Sequence, residues 1–171
     1  TMDAKGVHFI MIDNESQLMS EEVFKNLEND LEKNKGKTTI VAMHVPPVLS
    51  KEPLTVKLGK KLPLNFASPL MKDEAQIKRF TDLMSKYDVS AVLTGHTHKE
   101  DYMEKDGVKY INAGATGGLT PGMGIDNEYV DLTVKGKEVE FKRVTLKEGT
   151  NNPVKFASNM MGFYGDLNSF N

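Results

Sequence analysis

The chain contains no cysteine in 171 residues, which excludes disulfides and thiolate metal sites together. No stretch approaches the roughly 18 consecutive apolar residues that a membrane helix requires, and no signal peptide is visible at the start. Neither sign of charge is in useful excess. The 22 basic and 24 acidic residues leave a formal net charge of −2, with no bias towards nucleic acid or a membrane surface. The glycine-rich stretch Gly114–Gly124 lacks the strand-GxGxxG-helix order of a dinucleotide fold and the Gly-Lys-Ser/Thr of a P-loop, so it reads as a loop with close backbone approach. No internal repeat is apparent. A soluble protein, cytoplasmic or exported, is the expectation, and the absence of cysteine does not choose between those compartments.

With 39% hydrophobic residues the chain can bury one core, which argues for a single domain or part of one. Val7 to Ile12 is a nearly continuous apolar run, as suits a central strand covered on both faces. Ser20 reads as an N-cap, Glu21 and Glu22 sit in the first turn, and Val23, Phe24, Leu27 and Leu31 follow at helical spacing, with Gly36 closing the helix. Thr38 to Met43 is the next strand, stopped by Pro46 and Pro47. Asp73 and Gln76 have the spacing of a capping box, and Ile77, Phe80, Leu83, Met84 and Tyr87 form the stripe of a second helix. That helix leads into the apolar run from Val89 to Thr94. Two helix-to-strand passages predict parallel strands in one sheet.

Antiparallel hairpins follow. Asp106-Gly107 between Tyr102–Glu104 and Val108–Ile111 predicts a type I′ turn. Tyr129–Val134 and Val139–Leu146 form a second pair, in which the alternation slips after Phe141 and predicts a bulge. The predicted class is therefore α/β (α+β), a parallel βαβαβ part and then hairpins. Residues 1–147 form the domain part and 148–171 a tail, with a docking patch at Met160, Met161, Phe163 and Tyr164.

Three of the four histidines stand at strand exits: His44 after Thr38–Met43, and His96 and His98 after Val89–Thr94. In extended chain, residues two apart share a face, so His96 and His98 are expected to converge, with Gly95 allowing the turn. Neutral imidazole binds zinc, iron and manganese. The fourth, His8, lies inside a strand and reads as a structural or surface histidine, outside the site. Three histidines also fit a single zinc with an open position, or merely packed side chains on a binding module. The long segment Val45–Ser68 carries Lys51, Lys57, Lys60 and Lys61 against one acid, Glu52; a solvated loop and an anion-binding lid both fit it.

Thr94-Gly95-His96-Thr97-His98, preceded by Val41-Ala42-Met43-His44-Val45-Pro46-Pro47 and by the helix from Glu22 to Leu31, resembles the C-terminal half of the calcineurin-like metallophosphoesterases. Tyr110-Ile111-Asn112-Ala113-Gly114 resembles the strand and turn that follow, and the likeness spans roughly residues 7 to 118. The resemblance implies a β-sandwich flanked by helices and two divalent ions, manganese, iron or zinc. It makes His44 and His96 ligands of one ion and His98 a ligand of the other, with Gly95, Asn112 and Gly114 structural at the site and the lysine loop facing a phosphorylated small molecule, nucleotide or phosphoprotein. Three further ligand blocks of the family, Asp-X-His, Gly-Asp-X-X-Asp and Gly-Asn-His, are absent from this sequence. The chain thus reads as the C-terminal part of a longer phosphoesterase, a fragment with a partial site and little activity alone. Its apolar Val7–Ile12 faces would be covered by the missing half or by a second copy.

Overall fold

The computed structural model describes residues 1–50, 70–114 and 128–145. Apolar periodicity and local turn chemistry account for nearly every element. Strand β1 (Met2–Ala4) returns through Lys5-Gly6, both with positive φ, into β2 (Val7–Ile12). Helix α1 (Glu21–Lys33) starts where the Ser20 side chain accepts from the Val23 N–H, and it stops at Asn34, four residues before the start of β3 (Thr38–Met43). Gly36 does not close the helix; it takes the left-handed conformation, φ +89°, in the turn beyond. Helix α2 (Glu74–Lys86) is capped by Asp73, which accepts from Ala75 and Gln76. Only half of the predicted capping box forms, because the Gln76 side-chain Oε1 accepts instead from the Met19 N–H at 2.9 Å and ties the approach to α1 onto α2.

The remaining strands are β4 (Ala91–Thr94), β5 (Asp101–Lys105), β6 (Val108–Asn112), β7 (Glu128–Lys135) and β8 (Glu138–Thr145). A six-stranded mixed sheet runs β1-β2-β3-β4-β6-β5, and β7-β8 form a second, two-stranded sheet. Strands β2, β3, β4 and β6 are parallel, as two helix-to-strand passages require. Asp106 and Gly107 both have positive φ, the signature of the type I′ turn expected between β5 and β6.

Alternation divides the core in two. Ile10, Val41, Met43, Val92 and Tyr110 face the helices and bury Phe24, Leu27, Leu31, Phe80, Leu83 and Met84. Val7, Ile40, Ala91 and Ile111 face the other way, under Val130, Leu132, Val134 and Val139 of the hairpin. The result is a layered α/β/β arrangement, mixed α+β, with the sandwich and flanking helices foreseen from the sequence.

The β7–β8 register is unbroken from Glu128↔Thr145 to Lys135↔Glu138, so the predicted bulge does not exist. Val144 simply lies opposite Tyr129, on the face turned away from Val139 and Phe141. The Val7–Ile12 strand is also less open than expected. Val7, His8 and Ile10 are buried within the chain, and the exposed apolar residues of this corner are Met11 at 59% and Met2 at 52%.

His8 ties three elements together. At 4% exposure its Nδ1 lies 2.5 Å from Asp3 of β1 and its Nε2 2.8 Å from Asp30 of α1, while Lys37 adds a 3.0 Å contact to Asp3. Burial opposes a charge on the ring, but the bonds to Asp30 and Asp3 outweigh it, and the imidazole pKa is raised above its ordinary value. A raised histidine pKa contributes stability that is complete below about pH 6.5, the unfolded value, and fades as pH rises through the folded one. Urea midpoints of the wild type should fall over that window, and Asp30→Asn should flatten the fall; equal slopes for both would refute the clamp.

Candidate functional site

The parallel register brings two strand exits level at one edge of the large sheet. Ile12 pairs with Met43, and Ala42 with Leu93, so His44 emerges beside Gly95. The Gly95 N–H donates to the His44 carbonyl at 3.0 Å and extends the ladder by one bond. Beyond it the prolines end the pairing.

Two of the three histidines meet. His44 Nε2 and His96 Nδ1 are 3.0 Å apart, with ring centroids separated by 4.9 Å and planes at 79°. This is a hydrogen bond between the two imidazoles, in which the tautomer decides which nitrogen donates. Nitrogen ligands about 2.1 Å from an ion and about a right angle apart also stand about 3 Å from one another, so the donor pair fits two neighbouring coordination positions. His44 is exposed and His96 half-buried, which leaves the pair accessible.

His98 does not arrive by the expected route. Strand β4 stops at Thr94, and His96 and His98 are not extended: their φ angles are +66° and +55°. The Thr97 N–H donates to Gly95 C=O at 2.7 Å, which makes His96 the centre of a γ-turn of the rare positive-φ form. Among the described residues, no group of three or more His, Asp or Glu side chains surrounds a point where a metal could sit. The left-handed positions fall on the histidines and not on Gly95, where an added Cβ would meet no atom within 4 Å.

Asn112, buried at the end of β6, holds this turn. Its Nδ2 donates to Thr97 Oγ1 at 2.7 Å and to Lys99 C=O at 2.6 Å, while Thr94 Oγ1 donates to its Oδ1 at 2.8 Å. The Ala113 N–H donates to Thr94 C=O at 2.8 Å. Gly114 is needed for space: a Cβ there would stand 1.8 Å from Glu128 Oε1. Glu128 is itself buried and paired with Arg143, which also pairs with Glu100. A cavity of about 270 Å³ opens between the sheets beside Asn112, and its one arginine is thus engaged by two carboxylates. Ser50, where the described part of the post-β3 segment ends, donates through N–H and Oγ to Asp101 at the head of β5. Lys51, Lys57, Lys60 and Lys61, the stretch after Gly114 and the Met160–Tyr164 patch lie outside the described residues.

Sequence reasoning overlooked Asn14. It is 1% exposed, its Nδ2 donates to Val45 C=O at 2.8 Å, and its Oδ1 accepts from the His44 and Val45 N–H groups at 3.0 Å each. Its place two residues beyond an apolar strand, on the same sheet edge as His44, was the available signal.

No family model matches the chain, and no curated protein matches it in sequence. Solved structures do. One is GAP50, the anchor in the inner membrane complex of Plasmodium, with a TM-score of 0.56 and 17% identity over 84% of this chain and 46% of that one. A dimetal phosphatase from Danio rerio has a TM-score of 0.45 and 15% identity over 75% of this chain and 39% of that one. Vps29 from Entamoeba histolytica, complexed with zinc, has a TM-score of 0.35 and 16% identity over 84% of this chain and 93% of that one. The chain spans less than half the length of the first two. At such identities the likeness concerns the fold alone. No described helix is long and apolar enough to cross a membrane.

Replacing Gly114 by alanine should destabilise the fold by about 1–3 kcal/mol through overpacking against Glu128. Adding Glu128→Ala should relieve part of that cost. Equal melting temperatures for wild type and Gly114→Ala would show that the close approach is not real.

Proposed function

We propose that the chain is the C-terminal part of a metal-dependent phosphoesterase domain and carries part of its metal centre. The observation that supports this most directly is the His44–His96 pair, two imidazole nitrogens 3.0 Å apart at neighbouring strand exits. His44 and His96 would hold one divalent ion, manganese, iron or zinc, and His98 would serve a second. Bound ions would supply a coordinated water of lowered pKa and positive charge for a phosphoryl oxygen. The chain's own part is to present the imidazoles, to fix them through Asn112 and Gly95, and to leave them open to an anionic ester. The lysines of residues 51–61 would meet that anion. The remaining ligands would come from a further segment or another chain, because two or three histidines leave a hydrolytic dinuclear site incomplete.

A second reading is a binding module on the same fold. It is favoured by the absence, among the described residues, of three converging metal-ligand side chains, and by the likeness to a protein described as an anchor.

Metal content after dialysis against manganese or zinc separates these readings when compared with a variant carrying His44→Ala, His96→Ala and His98→Ala. The phosphoesterase reading requires histidine-dependent metal and little hydrolysis of an aryl phosphate by the isolated chain. Metal that persists in the variant, or none in the wild type, would leave the binding module standing.

A further inference from the structure

We infer that Asn14 is the positioning residue that sets the separation of His44 and His96, and with it the affinity of that pair for a divalent ion. The inference rests on the metal reading above and extends it to a residue outside the ligand set. The ladder of β3 ends at Met43, and Pro46 and Pro47 cannot donate beyond it, so the peptide groups of His44 and Val45 need partners from elsewhere. One carboxamide, 1% exposed, supplies three: it accepts from the His44 N–H at 3.0 Å and the Val45 N–H at 3.0 Å, and donates to Val45 C=O at 2.8 Å.

On the other side the His44 carbonyl accepts from the Gly95 N–H at 3.0 Å, one residue before His96. The His44 backbone is therefore held from both neighbouring strand exits, from β2 through Asn14 and from β4 through Gly95. With that backbone fixed, the spacing to His96 depends only on the side-chain torsions of the two histidines. Such a support acts before any ion binds, as outer-shell partners of metal ligands do. Asparagine suits the place because it offers an acceptor with two lone pairs and a donor on one short side chain. Alanine would leave the two N–H groups and one carbonyl without this partner.

Zinc affinity of the full chain, measured by competition with a chromophoric chelator, tests this. Asn14→Ala should weaken zinc binding by about 10- to 100-fold. Asn14→Asp, which keeps both accepted bonds, should recover part of the loss. Leu31→Ala, a cavity in the helix layer, should leave the affinity unchanged although it lowers stability. In the metal-free chain, imidazole ¹⁵N shifts should report one fixed tautomer each for His44 and His96 in the wild type, and exchange between tautomers in Asn14→Ala.

Zinc binding that needs His44 but is untouched in Asn14→Ala, with unchanged ¹⁵N shifts, would overturn the positioning role and leave the metal reading intact. Zinc binding indifferent to His44→Ala would instead remove the metal reading, and the ¹⁵N comparison alone would then decide the positioning role: unchanged tautomers in Asn14→Ala refute it.

Discussion

Parallel pairing of β3 against β4 is the constraint on which the site depends. The register Ile40↔Ala91, Val41↔Val92, Ala42↔Leu93 sets which side chains face the helices and which face the hairpin. A slip of β3 by one residue against β4 would turn Ile40 towards the helices and Val41 towards the hairpin while Ala91 and Val92 stayed in place. Both faces are apolar, so the slip would not merely expose one of them; it would mismatch shapes on both. The same register decides that His44 leaves β3 level with Gly95, and hence that two imidazoles from chain segments 52 positions apart come within 3.0 Å.

Backbone strain is concentrated where those imidazoles stand. Positive φ at a residue with a side chain costs of order 1–3 kcal/mol, and both His96 and His98 take it within one short turn. The turn persists because buried groups determine it from outside: Asn112 binds Thr97 and Lys99, and Thr94 in turn binds Asn112. Asp88 and Asp106, also left-handed, sit at an ordinary helix exit and a hairpin turn, where their conformations complete common motifs. The γ-turn at His96 completes no strand or helix. It does place the His96 imidazole against His44, 3.0 Å away.

Much of the fold was legible because its signals are local and agree with one another. Ser20 and Asp73 cap the helices, the stripes of Phe24, Leu27, Leu31 and of Phe80, Leu83, Met84 face the core, and Asp106-Gly107 makes its turn. Errors arose where tertiary contacts decide. β1 is three residues long and exists because Lys5-Gly6 returns it against β2, too short for any period. The Val139–Leu146 alternation looked bulged because a sequence does not show that Val144 can face outward opposite Tyr129. Gln76 abandoned its cap for Met19, 57 residues away. At the sheet edge the positions of His44 and His96 were legible because a histidine after a strand is visible in one dimension, whereas Asn14 acts on backbone groups and its position two residues beyond β2 is a weaker signal. His98 was assigned by extended-chain geometry that ends at Thr94.

Charge balance limits what the described residues could do with a divalent ion. Two neutral imidazoles add no negative charge to offset a divalent ion. Hydrolytic dinuclear chemistry needs ligands on two ions held a few ångströms apart, and carboxylates ordinarily supply that charge. Among the described residues, Asp101 is bonded to Ser50, and Glu100 and Glu128 to Arg143. Recruiting Glu128 would break its buried pairing with Arg143 and displace it from Gly114, at the cost of a desolvated, uncompensated charge. Completion by rearrangement of these residues is therefore disfavoured, and completion by ligands from beyond them is the cheaper route.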